Sequence, residues 1–392
     1  MRTLWANARI ASKGTFVNVM RWVASAVACM SLAACSSVGS GATSVDGADS
    51  MDVDGAREAY TAALAEPVFE APGPAFDAAE ATGKLIFNIP ASSSIPYLEA
   101  MNENMADVAE RVGVRYKYYA NQGQPDQWTQ GVQQAINEKA DVLVLSGAPD
   151  PALLQPQLKE ARAAGVKVIV ASLYPDGTAL PDNVDALVTL PSVELQSLVT
   201  DYAIANSGES LNALVLIASE FPSTGPLQEA VVAELEKRCG NACKYRVIDT
   251  KLADWATKIP TKVQSSLAAD ADINWIISIY DGMAPPAASG IEQAGRTGKV
   301  QITTGDASLG VLRSVADGVV AQDAGYSSDW IAWATVDQAL RILSGQPALA
   351  TAGLPIRMFD KTNIDAVGNP PVQDQGWGDS YVDGYLKLWG MG

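Results

Sequence analysis

From Lys84 onward, short apolar runs alternate with stretches whose apolar residues recur three or four positions apart. Residues 85–89 form the first such run. Residues 97–112 follow, with Leu98, Met101, Met105, Val108 and Val112 on one helical face. The same pairing predicts strands at 114–119, 142–145, 168–171 and 186–190, with helices at 127–138 and 151–164 between them. A second series starts after Leu190-Pro191. It predicts strands at 213–217, 244–249, 273–279, 300–304 and 319–323 and helices at 225–237, 255–268, 309–316 and 328–343. Strands separated by helices cannot pair as hairpins. They form parallel sheets with helices on both faces. In such sheets ligands settle beyond the carboxyl ends of the strands. Two of these ends carry polar groups. Trp275–Ile279 runs into Tyr280-Asp281-Gly282, and Thr303-Thr304 runs into Gly305-Asp306.

Of 392 residues, 48% are hydrophobic and 18% charged, which suits a folded core in two domains of ordinary size. The chain has no histidine. That excludes Ser-His-Asp and Cys-His catalysis and histidine-based metal centres, and it weighs against catalysis in general. No metal or cofactor is expected. The formal net charge is −17, and residues 1–34 hold Arg2, Arg9, Lys13 and Arg21 with no acid, so the chain without them carries −21. Such a molecule is repelled by nucleic acid.

Residues 1–21 are basic, and 22–34 are apolar and too short to span a bilayer. Leu32-Ala33-Ala34-Cys35 follows, and resembles the bacterial lipobox, whose cysteine becomes the lipidated N-terminus after export. Residues 36–55 are rich in Ser, Gly, Ala and Asp and read as a flexible tether. A short helix is expected at 57–66, and a Pro-rich extended arm at 70–77 is expected to lie along the first domain. In an exported protein Cys239 and Cys243 read as a small disulfide loop, with a thiol or metal site as the alternative. Trp377, Tyr381, Tyr385 and Trp389 crowd the last segment, which is expected to pack on the surface.

Two consecutive β/α series behind such a leader resemble a type I periplasmic substrate-binding protein, the ribose- and galactose-binding kind used by ABC transporters. The resemblance covers about 84–359. It is carried by Ile95-Pro96-Tyr97, like the family's Asn-Pro-aromatic start, by Tyr280-Asp281-Gly282-Met283, like its Asn-Asp-x-Met, and by Thr304-Gly305-Asp306, like its Gly-x-Asp. The implied fold is two α/β lobes joined by a three-strand hinge. The leader is 1–34, the lipidated tether and arm 35–82, the first lobe 83–190 plus 328–350, the second lobe 191–325 plus 353–360, and the tail 361–392. The implied cleft residues are Ser94, Tyr97, Ser172 and Tyr174 from the first lobe and Ser223, Trp255, Tyr280, Asp281 and Asp306 from the second, with Tyr326 at the hinge. For Tyr97 and Trp255 a packing role is equally open, and for Asp281 and Asp306 a helix-capping role.

The chain departs from the pattern at Ala171-Ser172-Leu173-Tyr174, where sugar binders carry Asp-Arg, and near Ser223, where an arginine is missing. The resemblance therefore implies a sugar, polyol, modified sugar or small aromatic ligand rather than ribose itself. It also implies delivery to an ABC permease, membrane attachment through Cys35, a monomer, and no nucleic-acid partner. A ligand sensor for a receptor kinase and a carboxylate-dependent hydrolase on a similar scaffold are the alternatives.

Overall fold

The computed structural model describes residues 50–391 apart from Ala148 and Pro222. The leader and Cys35 lie outside the described residues. In the first lobe β1 (Leu85–Pro90), α2 (Pro96–Arg111), β2 (Arg115–Tyr118), α3 (Pro125–Asn137), β3 (Val142–Ser146), α4 (Gln155–Ala163), β4 (Lys167–Pro175) and β5 (Ala186–Leu190) follow a helix α1 (Val53–Thr61). The five strands make one parallel sheet in the order β2-β1-β3-β4-β5. β1 and β3 are buried at every position, as expected for strands covered on both faces.

The second lobe runs α5 (Ser192–Asn206), β6 (Asn212–Ile217), α6 (Thr224–Cys239), β7 (Lys244–Asp249), α7 (Trp255–Ala269), β8 (Trp275–Ser278), α8 (Ala284–Gln293), β9 (Gln301–Asp306), α9 (Leu309–Ala316) and β10 (Gln322–Gly325). The chain then returns to the first lobe in α10 (Ser328–Leu343), adds β11 (Arg357–Asp360) to the second sheet, and ends in α11 (Ser380–Leu388). The six strands lie in the order β11-β10-β9-β8-β6-β7, parallel except for β11 against β10. Cys239 and Cys243 are joined, with Cα atoms 5.3 Å apart, closing the turn between α6 and β7.

Several elements differ from the sequence reading. The single helix expected at 151–164 is a 3-10 turn at Pro151–Leu153 and then α4, because Pro156 has no N–H to continue the first turn. The helix expected at 57–66 begins at Val53, since the Asp52 carboxylate accepts from the Gly55 N–H and caps it there. The tether reading of 36–55 therefore stops short of Asp52. That residue is held by Arg238 Nη1 at 2.6 Å.

Both chain ends span the two lobes. Ala56, Tyr60 and Leu64 pack in the core of the second lobe, whereas Phe76, Ala78 and Ala81 pack in the first. In the tail, Ile364, Val367 and Trp377 belong to the second lobe, while Tyr381, Tyr385, Leu388 and Trp389 fill the first. The three crossings implied by the resemblance are thus joined by two more, near 65–69 and 377–380. These two touch each other: Phe69 N donates to Ser380 Oγ at 3.0 Å, and a Cβ on Gly378 would lie 2.4 Å from the Glu66 carboxylate. The segments beside them touch the hinge. Asp374 accepts from Ser328 N at 2.6 Å and from Ser327 Oγ at 3.0 Å, and Pro72 lies against Gly353.

Candidate functional site

The strand tips of the two sheets face a cavity of about 660 Å³. Among the described residues the first lobe lines it with Ile95, Pro96, Tyr97 and Ser172, and the second with Asp306–Gly310. Leu190 and Tyr326 come from the crossings and Gln373 from the tail. No lysine or arginine is among these residues.

Two local distortions aim the polar groups. β4 pairs with β5 through Ala171 and resumes at Pro175, and Ser172 between them sits at φ +58°. A bulge at a strand end redirects a side chain. Here it brings Ser172 Oγ within 3.1 Å of Tyr97 Oη, from the first turn of α2. Burial pushes the Tyr97 phenol well up, so it is a neutral hydroxyl. At the tip of β9 the backbone turns through Asp306 at φ +146° and Ala307 at φ +53°, a strained pair for residues other than glycine. Two further acids secure the turn. Ala307 N donates to Asp323 Oδ1 at 3.2 Å, and Ser308 N donates to Asp281 Oδ2 at 2.8 Å. Asp306 is thereby held in the cavity wall with its Oδ2 3.4 Å from the Asp281 N–H.

The three carboxylates share one electrostatic environment. Enclosure by protein, reinforced by the Asp281 charge, pushes Asp306 well above the usual carboxylate range. Burial, reinforced by Asp281 and Asp306, does the same to Asp323, which is 0% exposed. Asp281 is raised by burial and held back by its bonds to Ser308. None of the three forms an ion pair among the described residues.

The structure brings together Tyr97, Ser172, Asp306 and Tyr326 of the residues singled out in the sequence. Asp281 stands one layer behind, buried and capping the entry to α9. Tyr280, Trp255 and Ser223 form a separate corner of the second lobe. The Trp255 and Tyr280 rings stack 6.1 Å apart, Phe221 meets Tyr280 edge-on at 5.4 Å, and Tyr280 Oη lies 3.0 Å from Ser223 Oγ. Ser94 is exposed and 2.9 Å from Ser92 Oγ. Tyr174 turns to the other face of the first sheet and donates to Asp150 at 3.3 Å. Gln373 and Ser308 escaped the sequence reading. Gln373 lies in an aperiodic tail, and Ser308 is one of many serines.

The family model described as "Periplasmic binding protein domain" matches residues 86–347. No curated protein matches the chain. Among solved structures, a periplasmic ribose ABC transporter protein from Conexibacter woesei is 20% identical with a TM-score of 0.65, over 77% of this chain and 97% of that one. An ABC transporter solute-binding protein from Agrobacterium vitis with bound allitol is 18% identical with a TM-score of 0.61, over 74% and 99%. The fructose-binding periplasmic domain of a hybrid two-component system is 21% identical with a TM-score of 0.58, over 72% and 92%. The two α/β lobes, the cavity between their strand tips and the family match agree: the chain belongs to the periplasmic binding protein domain family, with the type I fold.

Proposed function

We propose that the protein captures a small ligand between its lobes and delivers it to an ABC permease, while Cys35 carries a lipid that holds it on the extracytoplasmic face. The observation that carries this reading is the 660 Å³ cavity walled by both lobes, which a ligand touching both walls would stabilise in the closed form. Solute-binding proteins of ABC transporters among the similar structures, including one with bound allitol, support the transport role. Aromatic faces at Tyr97 and Tyr326 suit the apolar side of a compact ligand, and Asp306 and Gln373 supply directed hydrogen bonding. No helix among the described residues is long and apolar enough to cross a membrane.

A thermal-shift screen tests the reading. A ligand present at 100 times its dissociation constant adds about 2.7 kcal/mol of stability. Asp306→Asn should remove that shift, and a retained shift would take the acid out of the site. Cys35→Ser should release the protein from membranes, whereas continued membrane retention would end the lipid-anchor reading. The sensor role remains a second reading, favoured by the two-component periplasmic domain among the similar structures. Adjacent genes for a kinase rather than a permease would select it.

A further inference from the structure

Resting on the solute-binding reading, we infer that the ligand is a small organic cation, with a protonated amine or methylated ammonium placed against Asp306 between the Tyr97 and Tyr326 rings. The cavity wall holds one carboxyl group, Asp306, and no lysine or arginine.

A second observation is independent of the exposed acid. Asp323, 0% exposed, accepts at Oδ1 from the N–H of Ala307, a residue of the cavity wall, and leaves Oδ2 with no partner among the described residues. Tyr326 Oη is likewise buried and unpartnered. Burial holds Asp323 and Asp306 toward their protonated forms, and a cation in the cavity favours the ionised forms where a neutral ligand does not. Tyrosine faces attract an ammonium through the ring quadrupole. A metal ion is a poorer occupant. Among the described residues no three acidic or cysteine groups converge as a cage, and Asp281 and Asp323 already spend an oxygen each on backbone N–H groups.

The test uses probes matched in shape and differing in charge: choline against 3,3-dimethyl-1-butanol, glucosamine against glucose, and putrescine against 1,4-butanediol. Each is titrated calorimetrically into the intact chain and into Asp306→Asn, asparagine being among the residues that best tolerate a positive φ. The charged member of at least one pair should bind about tenfold or more tighter than its neutral mate, and Asp306→Asn should weaken it by about 10- to 100-fold. Its uptake should release a proton from the cluster of Asp306, Asp281 and Asp323, with the Tyr97 and Tyr326 hydroxyls the other titratable groups of the wall; heats measured in buffers of different ionisation enthalpy read this. Equal or tighter binding by neutral members overturns the cation and leaves solute binding standing. Cation binding unchanged in Asp306→Asn overturns the placement. Failure of every probe, and of a sugar and polyol library, overturns both readings together.

Discussion

Truncating Trp389 to alanine tests whether the final turn of the chain is core or ornament. The ring is 0% exposed, lies 5.4 Å from Trp333 at an interplanar angle of 10°, and contacts Tyr385 at 5.4 Å. Its Nε1 donates to Asp337 Oδ1 at 2.8 Å. A buried indole hides roughly 200 Å². At about 25 cal/mol per Å² its removal costs about 5 kcal/mol, in line with the ~3–5 kcal/mol typical of a large aromatic truncated to alanine. Asp337, 1% exposed, would keep only Arg341 Nε, which adds about 1–3 kcal/mol for the orphaned oxygen. The expected loss is about 4–8 kcal/mol, a large share of the stability of an ordinary domain. Trp389→Phe keeps most of the stack and should cost about 1–2 kcal/mol beyond its smaller area. Equilibrium urea unfolding followed by circular dichroism measures both. A loss below about 1 kcal/mol for Trp389→Ala would refute the claim that α11 is an integral layer of the first lobe.

Arg238 serves two buried acids at once, Asp201 at 3.1 Å and Glu234 at 2.9 Å, and Arg238→Met should cost about 3–5 kcal/mol in the same assay. Burial and the Glu234 charge raise Asp201 to about 7, so its contribution is fully present below its unfolded value of 3.8 and is lost as pH rises through about 7. Asp201→Asn should therefore flatten the fall in melting temperature across that window. Asp323 is also raised by burial, so the unliganded protein should be stabilised by Asp323→Asn at pH 8 and much less in acid; an unchanged melting temperature at pH 8 would mean the buried charge is compensated. Replacing Cys239 and Cys243 by serine opens a loop of five residues and should cost about 2 kcal/mol, with a loss above about 4 kcal/mol pointing to a larger structural role.

Local pattern made the layers legible. Val142–Leu145 is apolar throughout because helices cover both faces, and α10 keeps Trp333, Val336 and Leu340 on one stripe. What escaped was set by tertiary context. α5 buries Gln196, Thr200 and Asp201 because α1 and the second sheet enclose it from both sides, which no spacing announces. The Ser172 bulge comes from how β4 re-registers on β5, not from the residues Ala-Ser-Leu. Asp281 and Asp306 read alike in the sequence, each an acid at a strand tip. Only the turn at Ala307 and Ser308 separates them, turning one toward backbone donors and the other toward the cavity.

The two additional crossings change what the hinge permits. A molecule whose halves share three ties can swing and also wring about its long direction. Here Glu66–Phe69 and Trp377–Ser380 are ties of four residues each, joined by Phe69 N on Ser380 Oγ, and just before the second tie Asp374 holds Ser327 and Ser328 of the hinge. A chain extends at most about 3.6 Å per residue, so a four-residue tie reaches no more than about 14 Å. Any motion that parts the lobes must carry these short links with it or break the bond between them.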